Sequence, residues 1–396
     1  MRTQVVIIGA GPSGLLLAQL LDNAGIDSIV LEDRSREYVE ARIRAGVIEQ
    51  DAVDVMREAG VADRLDKEGL VHGGIYLQFL GERHHIDFQK LCNGASVVVY
   101  GQTEVQKDLA HAREARGQQW FYEVENVVIH DIETDRPFVT FVDVDGKEQR
   151  IDAEFVAGCD GFHGVSRKTI PADTLKTYER VYPYAWLGIL ADVEPSTDEL
   201  IYAWHPDGFA MHSMRSHHVS RLYIEVTPED DLANWPDDRV WDALADRMAY
   251  TGWELKRGPV TEKSITPMRS FVSEPMRHGS LFIAGDAGHI VPPTGAKGLN
   301  QAFVDVKLLS DALIAKLNEK TDALLETYSA NALAQVWRRT HFSWWMTSML
   351  HTSNTNEFDR MLQLAQLRYV TSSEAAMTSL AENYVGLAPA SPVGLG

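Results

Sequence analysis

Cysteine is scarce in this chain, with 2 in 396 residues, and Cys92 and Cys159 stand far apart without a CxxC pair. A disulfide scaffold and dithiol chemistry are excluded, and a reducing cytoplasm is the expected setting. Long apolar runs are missing too. No stretch approaches the roughly 18 residues of a membrane-crossing helix. Val5 is reached without the charged lead and cleavage site of a signal peptide, so neither a span nor a leader is expected. Positive charge is in deficit: 37 Lys+Arg against 57 Asp+Glu give a net charge of −20. Such a surface repels polyanions, which excludes nucleic acid as a bulk partner. A small anion remains admissible where arginines are placed locally. Repeats and low-complexity linkers are also absent.

What is present is ordinary globular usage, 45% hydrophobic and 24% charged, in a length that suggests two or three units of roughly 150 residues each. Gln4 to Ile8 form a short β-branched run. Gly9-Ala10-Gly11-Pro12-Ser13-Gly14 follows, and then Leu15, Leu16, Leu17, Leu20 and Leu21 at helical spacing. Gly25 ends that helix, Ser28 to Leu31 resume a strand, and Glu32 sits at its end. The glycines permit a tight turn and close approach to a pyrophosphate. The helix N-terminus offers N–H groups, and the acid accepts ribose hydroxyls. A dinucleotide site is therefore expected here, against the plainer alternative of a turn between core elements.

A helical pattern runs from Val47 to Glu58, and another from Thr103 to Arg116. Ile75 to Phe79, Ser96 to Tyr100, Trp120 to Val124, Val127 to Ile132, Phe138 to Val142 and Phe155 to Gly158 read as strands. Ala185 to Ala191, Leu200 to Trp204, Phe209 to Ser213 and Arg221 to Val226 read as a second, sheet-rich unit. Ser280 to Ala284 is an apolar strand leading into Gly285-Asp286-Ala287, a helix starts near Gly298, and the rest to about Tyr384 is helical. Phe342 to Met346 is expected to fill a core or dimer contact, and Gly386 to Gly396 to fray.

Three glycine-acid turns thus stand in order: Gly9 to Gly14, Cys159-Asp160-Gly161 and Gly285-Asp286-Ala287. The set resembles the single-component flavoprotein aromatic hydroxylases. Arg42-Ile43-Arg44-Ala45-Gly46, Tyr100-Gly101-Gln102-Thr103-Glu104, Gly158 to Gly164, Ile290 to Asn300, Phe342 to Ser348 and Ala381 to Gly386 are similar to family members acting on 4-hydroxybenzoate. The likeness covers nearly the whole chain, departing mainly between Thr227 and Arg257 and in the last ten residues.

The resemblance implies an α/β fold: a Rossmann-like FAD-binding domain with an inserted sheet-rich substrate domain and a helical C-terminal region. Its FAD-binding segments would be 1–73, 101–180 and 271–320, with substrate-domain segments 74–100 and 181–270 and a helical interface region at 321–396. It implies that Gly9, Gly11, Ser13, Gly14, Glu32, Arg42, Arg44, Gln102, Asp160 and Asp286 contact FAD, with Gly298, Leu299 and Asn300 at the isoalloxazine. Arginines answer phosphates, and helix N–H groups stabilise negative charge on a reduced flavin.

The resemblance further implies a substrate carboxylate held by Ser213, Arg215 and Tyr223. The phenol would meet Tyr202, its proton would pass by Tyr384 to His72 as the solvent-side end, and Pro293 would bound the ring. Strand alternation puts Ser213 with Arg215 and Arg221 with Tyr223 on shared faces. Parity does not say which face is buried. Asp33, Arg34, Tyr38, Arg44, His163 and Arg269 would meet the nicotinamide dinucleotide. Asp33 stands where NADPH-preferring members carry a basic residue, so NADH or dual use is expected, Arg34 or Arg36 compensating.

The partners implied are 4-hydroxybenzoate, O2 and NADPH or NADH, in a homodimer. His84-His85 and His217-His218 show no metal-site context, so no metal is expected. The residues alone also allow another FAD enzyme or a flavin carrier without turnover.

Overall fold

The structure, a computed structural model, describes residues 1–41, 46–352 and 356–386. The apolar run Val5–Ile8 is wholly buried because it is a central strand of a six-stranded sheet. Its neighbours run in the order Arg277–His278, Leu281–Ile283, Phe155–Gly158, Val5–Ile8, Ser28–Leu31, Trp120–Phe121. All pair in parallel except Arg277–His278. The helix Pro12–Asn23 begins directly at the glycine turn and packs against the helices Gln102–Ala115 and Gly298–Glu319. These helices cover the parallel strands from one side, and Phe121 meets Phe141 of the strand Phe138–Val142 within the same core.

A second, eight-stranded sheet has the order His289–Ile290, Val260–Glu274, Lys176–Ala191, Ser220–Val226, Ala210–Met214, Leu200–Ala203, Gly74–Phe79, Glu82–Asp87. The antiparallel pair Lys176–Ala191 and Val260–Glu274 runs through positions 180 and 270. Those two expected boundaries therefore fall inside continuous strands, because both strands cross between the halves instead of ending there. Glu125–His130, Phe138–Val142 and Glu148–Asp152 form a small separate sheet.

Two local expectations change. Val47 and Ile48 are a strand paired with Val99 and Val98, and only Gln50–Glu58 is helical. Val97–Val99 belongs with Val47–Ile48 and Leu70–His72 in a three-stranded sheet, outside the eight-stranded one. β-branched residues favour the strand where a partner edge is offered, whatever the apolar spacing that follows.

The C-terminal helices are Ala323–Leu350, Glu357–Ser372 and Glu374–Val385. Asn356 caps the second, its side chain accepting from the Asp359 N–H, and Ser373 caps the third by accepting from Ala376. Phe342 and Met346 are buried in the core around Tyr202 and Tyr384. Among the described residues no helix is long and apolar enough to cross a membrane. The stretch expected to fray lies outside the described residues beyond Gly386.

Candidate active site

The glycine turn is dictated by contact. Gly9 has φ +106, and a Cβ there would lie 2.3 Å from the Cys159 carbonyl oxygen; one on Gly14 would lie 1.9 Å from the Gly9 carbonyl oxygen. By contrast, open space faces Gly11 and Gly298. The turn is fixed from behind by Gln106, which donates to the Ala10 carbonyl at 2.7 Å. Glu32 accepts from the Ala10 N–H at 2.7 Å and the Arg34 N–H at 3.0 Å. Burial, with neighbouring Asp33 adding to it, pushes its carboxyl up to about 7.

Asp160 accepts twice from Ser166 through Oδ2. Its Oδ1 is buried without a hydrogen-bond partner among the described residues. Ser13 faces the third turn: a Cβ on Gly285 would come within 2.8 Å of its hydroxyl. Asp286 is half-buried in that turn, Gln102 begins the helix Gln102–Ala115, and Leu299 is half-buried one residue into Gly298–Glu319. Asn300 is fully buried and ties this helix to the Val47–Glu49 backbone. Arg42 and Arg44 lie outside the described residues. Open glycine space, an unpartnered buried carboxylate oxygen and a ribose-type acid at a strand end together fit FAD.

The second cluster resolves what strand parity left open. Tyr202, Ser213, Arg215, Arg221, Tyr223 and Pro293 line one enclosed pocket. Leu222 and Ile224, the alternate residues, pack in a different core cluster on the other face. Arg215 lies just past its strand, its backbone N–H donating to the Val219 carbonyl at 2.8 Å, and its guanidinium lies against Gly101, where a Cβ would come 3.2 Å from its Cζ. Burial pulls the Arg215 guanidinium below its usual range, and Arg221 adds to that pull. Arg221 Nε donates to the Tyr223 hydroxyl at 3.3 Å, while its Nη1 is buried with no hydrogen-bond partner among the described residues. A buried pocket holding two arginines is complementary to an anion, a carboxylate being the planar match.

Facing this, the Tyr202 and Tyr384 hydroxyls are hydrogen-bonded at 2.6 Å, both side chains being 1% exposed. Burial drives both phenols well above their ordinary value. His72 corrects an expectation. It is 1% exposed, and neither ring nitrogen has a hydrogen-bond partner among the described residues. Burial pulls its pKa down to about 4 against the attraction of Asp198. The ring is therefore enclosed and neutral near pH 7, so it is neither the solvent-exposed end of a path nor directly bonded to Tyr384. Leu70–His72 is a strand of the small sheet, which buries it.

The remaining predicted residues form two surface groups. His163 and Arg269 meet around Phe162, the His163 ring edge-on at 5.1 Å and the guanidinium 5.0 Å above the ring. Arg269 also pairs with Glu179. Asp33, Arg34 and Tyr38 are exposed together, Arg34 pairing with Asp33 at 3.6 Å and covering the Tyr38 ring. Arg36 is engaged by Glu40 and Glu114, which leaves Arg34 the less committed cation. Sequence reading missed Glu49, Asp51, Lys297 and Arg339, which gather behind Tyr384. The signal for them was faint: Lys297 interrupts an otherwise small and apolar run from Ile290 to Leu299.

Residues 2–343 match a family model described as FAD binding domain. The chain is 51% identical over 389 residues to p-hydroxybenzoate hydroxylase of Acinetobacter baylyi, covering 98% of this chain and 96% of that one. It is 26% identical to a probable NADH-specific resorcinol 4-hydroxylase of Rhodococcus jostii, over 82% of this chain and 61% of that one. Among solved structures, p-nitrophenol 4-monooxygenase of Pseudomonas putida superposes with a TM-score of 0.83 at 19% identity, covering 98% of this chain and 100% of the other. That likeness is one of fold.

Proposed function

The chain belongs to the p-hydroxybenzoate hydroxylase family of FAD-dependent aromatic monooxygenases, and on that premise we propose that it converts 4-hydroxybenzoate, O2 and NAD(P)H to 3,4-dihydroxybenzoate. One observation carries the reading: Arg215, Ser213 and Tyr223 share a pocket with Tyr202 and Pro293. A molecule with a carboxylate for the guanidinium and a phenol for the Tyr202 hydroxyl suits both ends.

Bound FAD supplies the redox chemistry that takes hydride from NAD(P)H and activates oxygen. The chain's part is electrostatic and steric. Gly9 to Gly14, Glu32, Asp160 and Asp286 would hold the dinucleotide, with Arg42 and Arg44 assigned to its phosphates. The N–H groups at Gly298, Leu299 and Asn300 would favour negative charge on the ring system. Arg215 fixes the substrate's orientation. Tyr202 receives the phenolic proton as its own hydroxyl proton passes along the bond to Tyr384 and out toward solvent, and it then donates a hydrogen bond to the phenolate, which makes the ring carbon beside the oxygen more nucleophilic. Enclosure by Pro293, Trp186 and Met211 excludes water. Product formed under isotopically labelled oxygen gas is expected to carry one labelled atom, beside the original phenol. Label entering from water, or a different ring position, counts against the proposal.

For the co-substrate we assign Asp33, Arg34, Tyr38, Arg44, His163 and Arg269, with NADH used at least as well as NADPH. Asp33 repels a 2′-phosphate, while the adjacent Arg34 only partly offsets it. Steady-state kinetics with both cofactors are expected to give a kcat/KM for NADH equal to or above that for NADPH. A preference for NADPH of about 30-fold, roughly 2 kcal/mol, contradicts this assignment.

A homodimer in the cytoplasm completes the reading. Phe358, Met361, Leu362 and Tyr369 project outward from one helix, an exposed apolar face suited to a second copy. Cys92 and Cys159 are buried and unbridged, which suits a reducing compartment.

A further inference from the structure

Four charged side chains meet behind Tyr384, almost shut off from water. Lys297 Nζ lies 2.5 Å from Glu49 Oε1, and Arg339 Nη2 lies 3.2 Å from Glu49 Oε2 and 2.8 Å from Asp51 Oδ2. They come from three helix regions: Glu49 and Asp51 at the start of Gln50–Glu58, Lys297 before Gly298–Glu319, and Arg339 within Ala323–Leu350. Gly386 closes the group, since a Cβ there would lie 2.1 Å from Glu49 Oε2 and 3.0 Å from Asp51 Oδ1.

Lys297 with Glu49 would already be neutral. A second buried pair adds little stability, because such pairs are often replaceable by apolar groups at no loss. What the arrangement does offer is charge beside the tyrosine pair. Lys297 Nζ donates to the Tyr384 carbonyl at 3.0 Å and stands 5.6 Å from the centre of its ring. The Tyr384 hydroxyl is the one bonded to Tyr202. Burial raises the Tyr384 phenol, the bond from Tyr202 lowers it, and the charge on Glu49 raises it again. Glu49 is therefore felt at the proton path, and Arg339 competes with Lys297 for it.

We propose that Arg339 and Asp51 are positioning residues: they set how much of the Glu49 charge opposes Lys297, and so how readily bound 4-hydroxybenzoate loses its phenolic proton. The inference rests on the substrate reading above. Asp51 is the adjustable member, its side chain 28% exposed where Glu49 and Lys297 are at 1%. Burial and Glu49 push its carboxyl up to about 6, against Arg339 and Lys297. The charges facing Arg339 are Glu49, Asp51 and, further off, Asp305; those facing Lys297 are Glu49, Arg339 and Asp51. Above that pH two cations balance two anions, and losing the Asp51 charge leaves the group positive.

The sign of the response tests this in the full-length FAD enzyme. Asp51→Asn is expected to lower the pKa of the bound phenol by about half a pH unit, read from phenolate absorbance in difference spectra. Arg339→Met is expected to raise it, by less, because Asp51 without its cation takes up a proton. The double variant should return close to wild type. A purely structural role makes the double variant the most disturbed and moves both singles alike, which overturns the proposal. Should Arg339→Met fail to fold, Asp51→Asn decides alone: bound substrate with an unmoved phenol pKa also overturns it. Binding is followed separately through the flavin spectrum. A wild-type enzyme that does not bind 4-hydroxybenzoate rejects the substrate reading and this inference together.

Discussion

Arg215→Ala should weaken 4-hydroxybenzoate binding by about 2 to 5 kcal/mol, the loss typical when one partner of a desolvated charge pair is removed. That corresponds to a dissociation constant raised by roughly 30-fold to several thousand-fold. The cost is large because the pocket is enclosed and Arg221 is the other cation lining it. Arg221 replaces Arg215 only in part, through an Nη1 that has no hydrogen-bond partner among the described residues. Its Nε is directed to the Tyr223 hydroxyl at 3.3 Å, and Glu262 stands 4.0 Å from its Nη1. Arg215→Lys should recover only part of the loss, since an ammonium lacks two parallel donors for a carboxylate. Flavin absorbance titrated with substrate measures all three proteins. FAD retention serves as the control, because Gly101 packs on the Arg215 guanidinium and Gln102 begins the neighbouring helix. A dissociation constant within about threefold of wild type, or roughly 0.7 kcal/mol, contradicts the carboxylate role.

Tyr202→Phe should separate binding from chemistry. The phenyl ring keeps the packing against Phe209 and Tyr384, so substrate affinity should change only a few-fold. The hydroxyl bonded to Tyr384 at 2.6 Å is lost. Without it the substrate phenol stays protonated, and the ring is a poorer nucleophile. Hydroxylation is expected to fall by about 100-fold, at the low end for a lost acid–base group, with NAD(P)H electrons appearing as hydrogen peroxide. Product yield per NAD(P)H and peroxide formation are the two readings. A normal yield would remove Tyr202 from the proton path.

How far the molecule could be read from its sequence depended on the range of the forces involved. The turn at Gly9 to Gly14 was legible because its constraint is local: a side chain at either end strikes backbone that is itself fixed by the βαβ geometry. Phe138–Val142 and Phe155–Gly158 were legible to the residue, since alternation and turn signals bound them closely. Ser213 and Arg215 were only half legible. Alternation put them on one face, but the choice of buried face is made by neighbouring strands and by Pro293, far along the chain. His72 was misjudged for a related reason: its near-neutral reference pKa suggested a solvent-side group, whereas pairing of Leu70–His72 with Val97–Val99 encloses it. The Glu49, Asp51, Lys297 and Arg339 group left no periodic trace at all. Its members are brought together by helix packing between distant segments, and each looks like a surface charge on its own.

The acidic surface and the cationic pocket are compatible because they act over different distances. A net charge of −20 disfavours extended polyanions, and ionic screening beyond about 10 Å leaves the pocket to its own arginines. Substrate entry should thus depend more on Arg215 than on overall charge.

The most direct test is stoichiometric. With 4-hydroxybenzoate, FAD enzyme and limiting NAD(P)H, the account predicts one 3,4-dihydroxybenzoate and one O2 consumed per NAD(P)H, with little hydrogen peroxide. Oxidation of NAD(P)H that yields peroxide in place of the dihydroxy product, or that does not respond to 4-hydroxybenzoate, would contradict it.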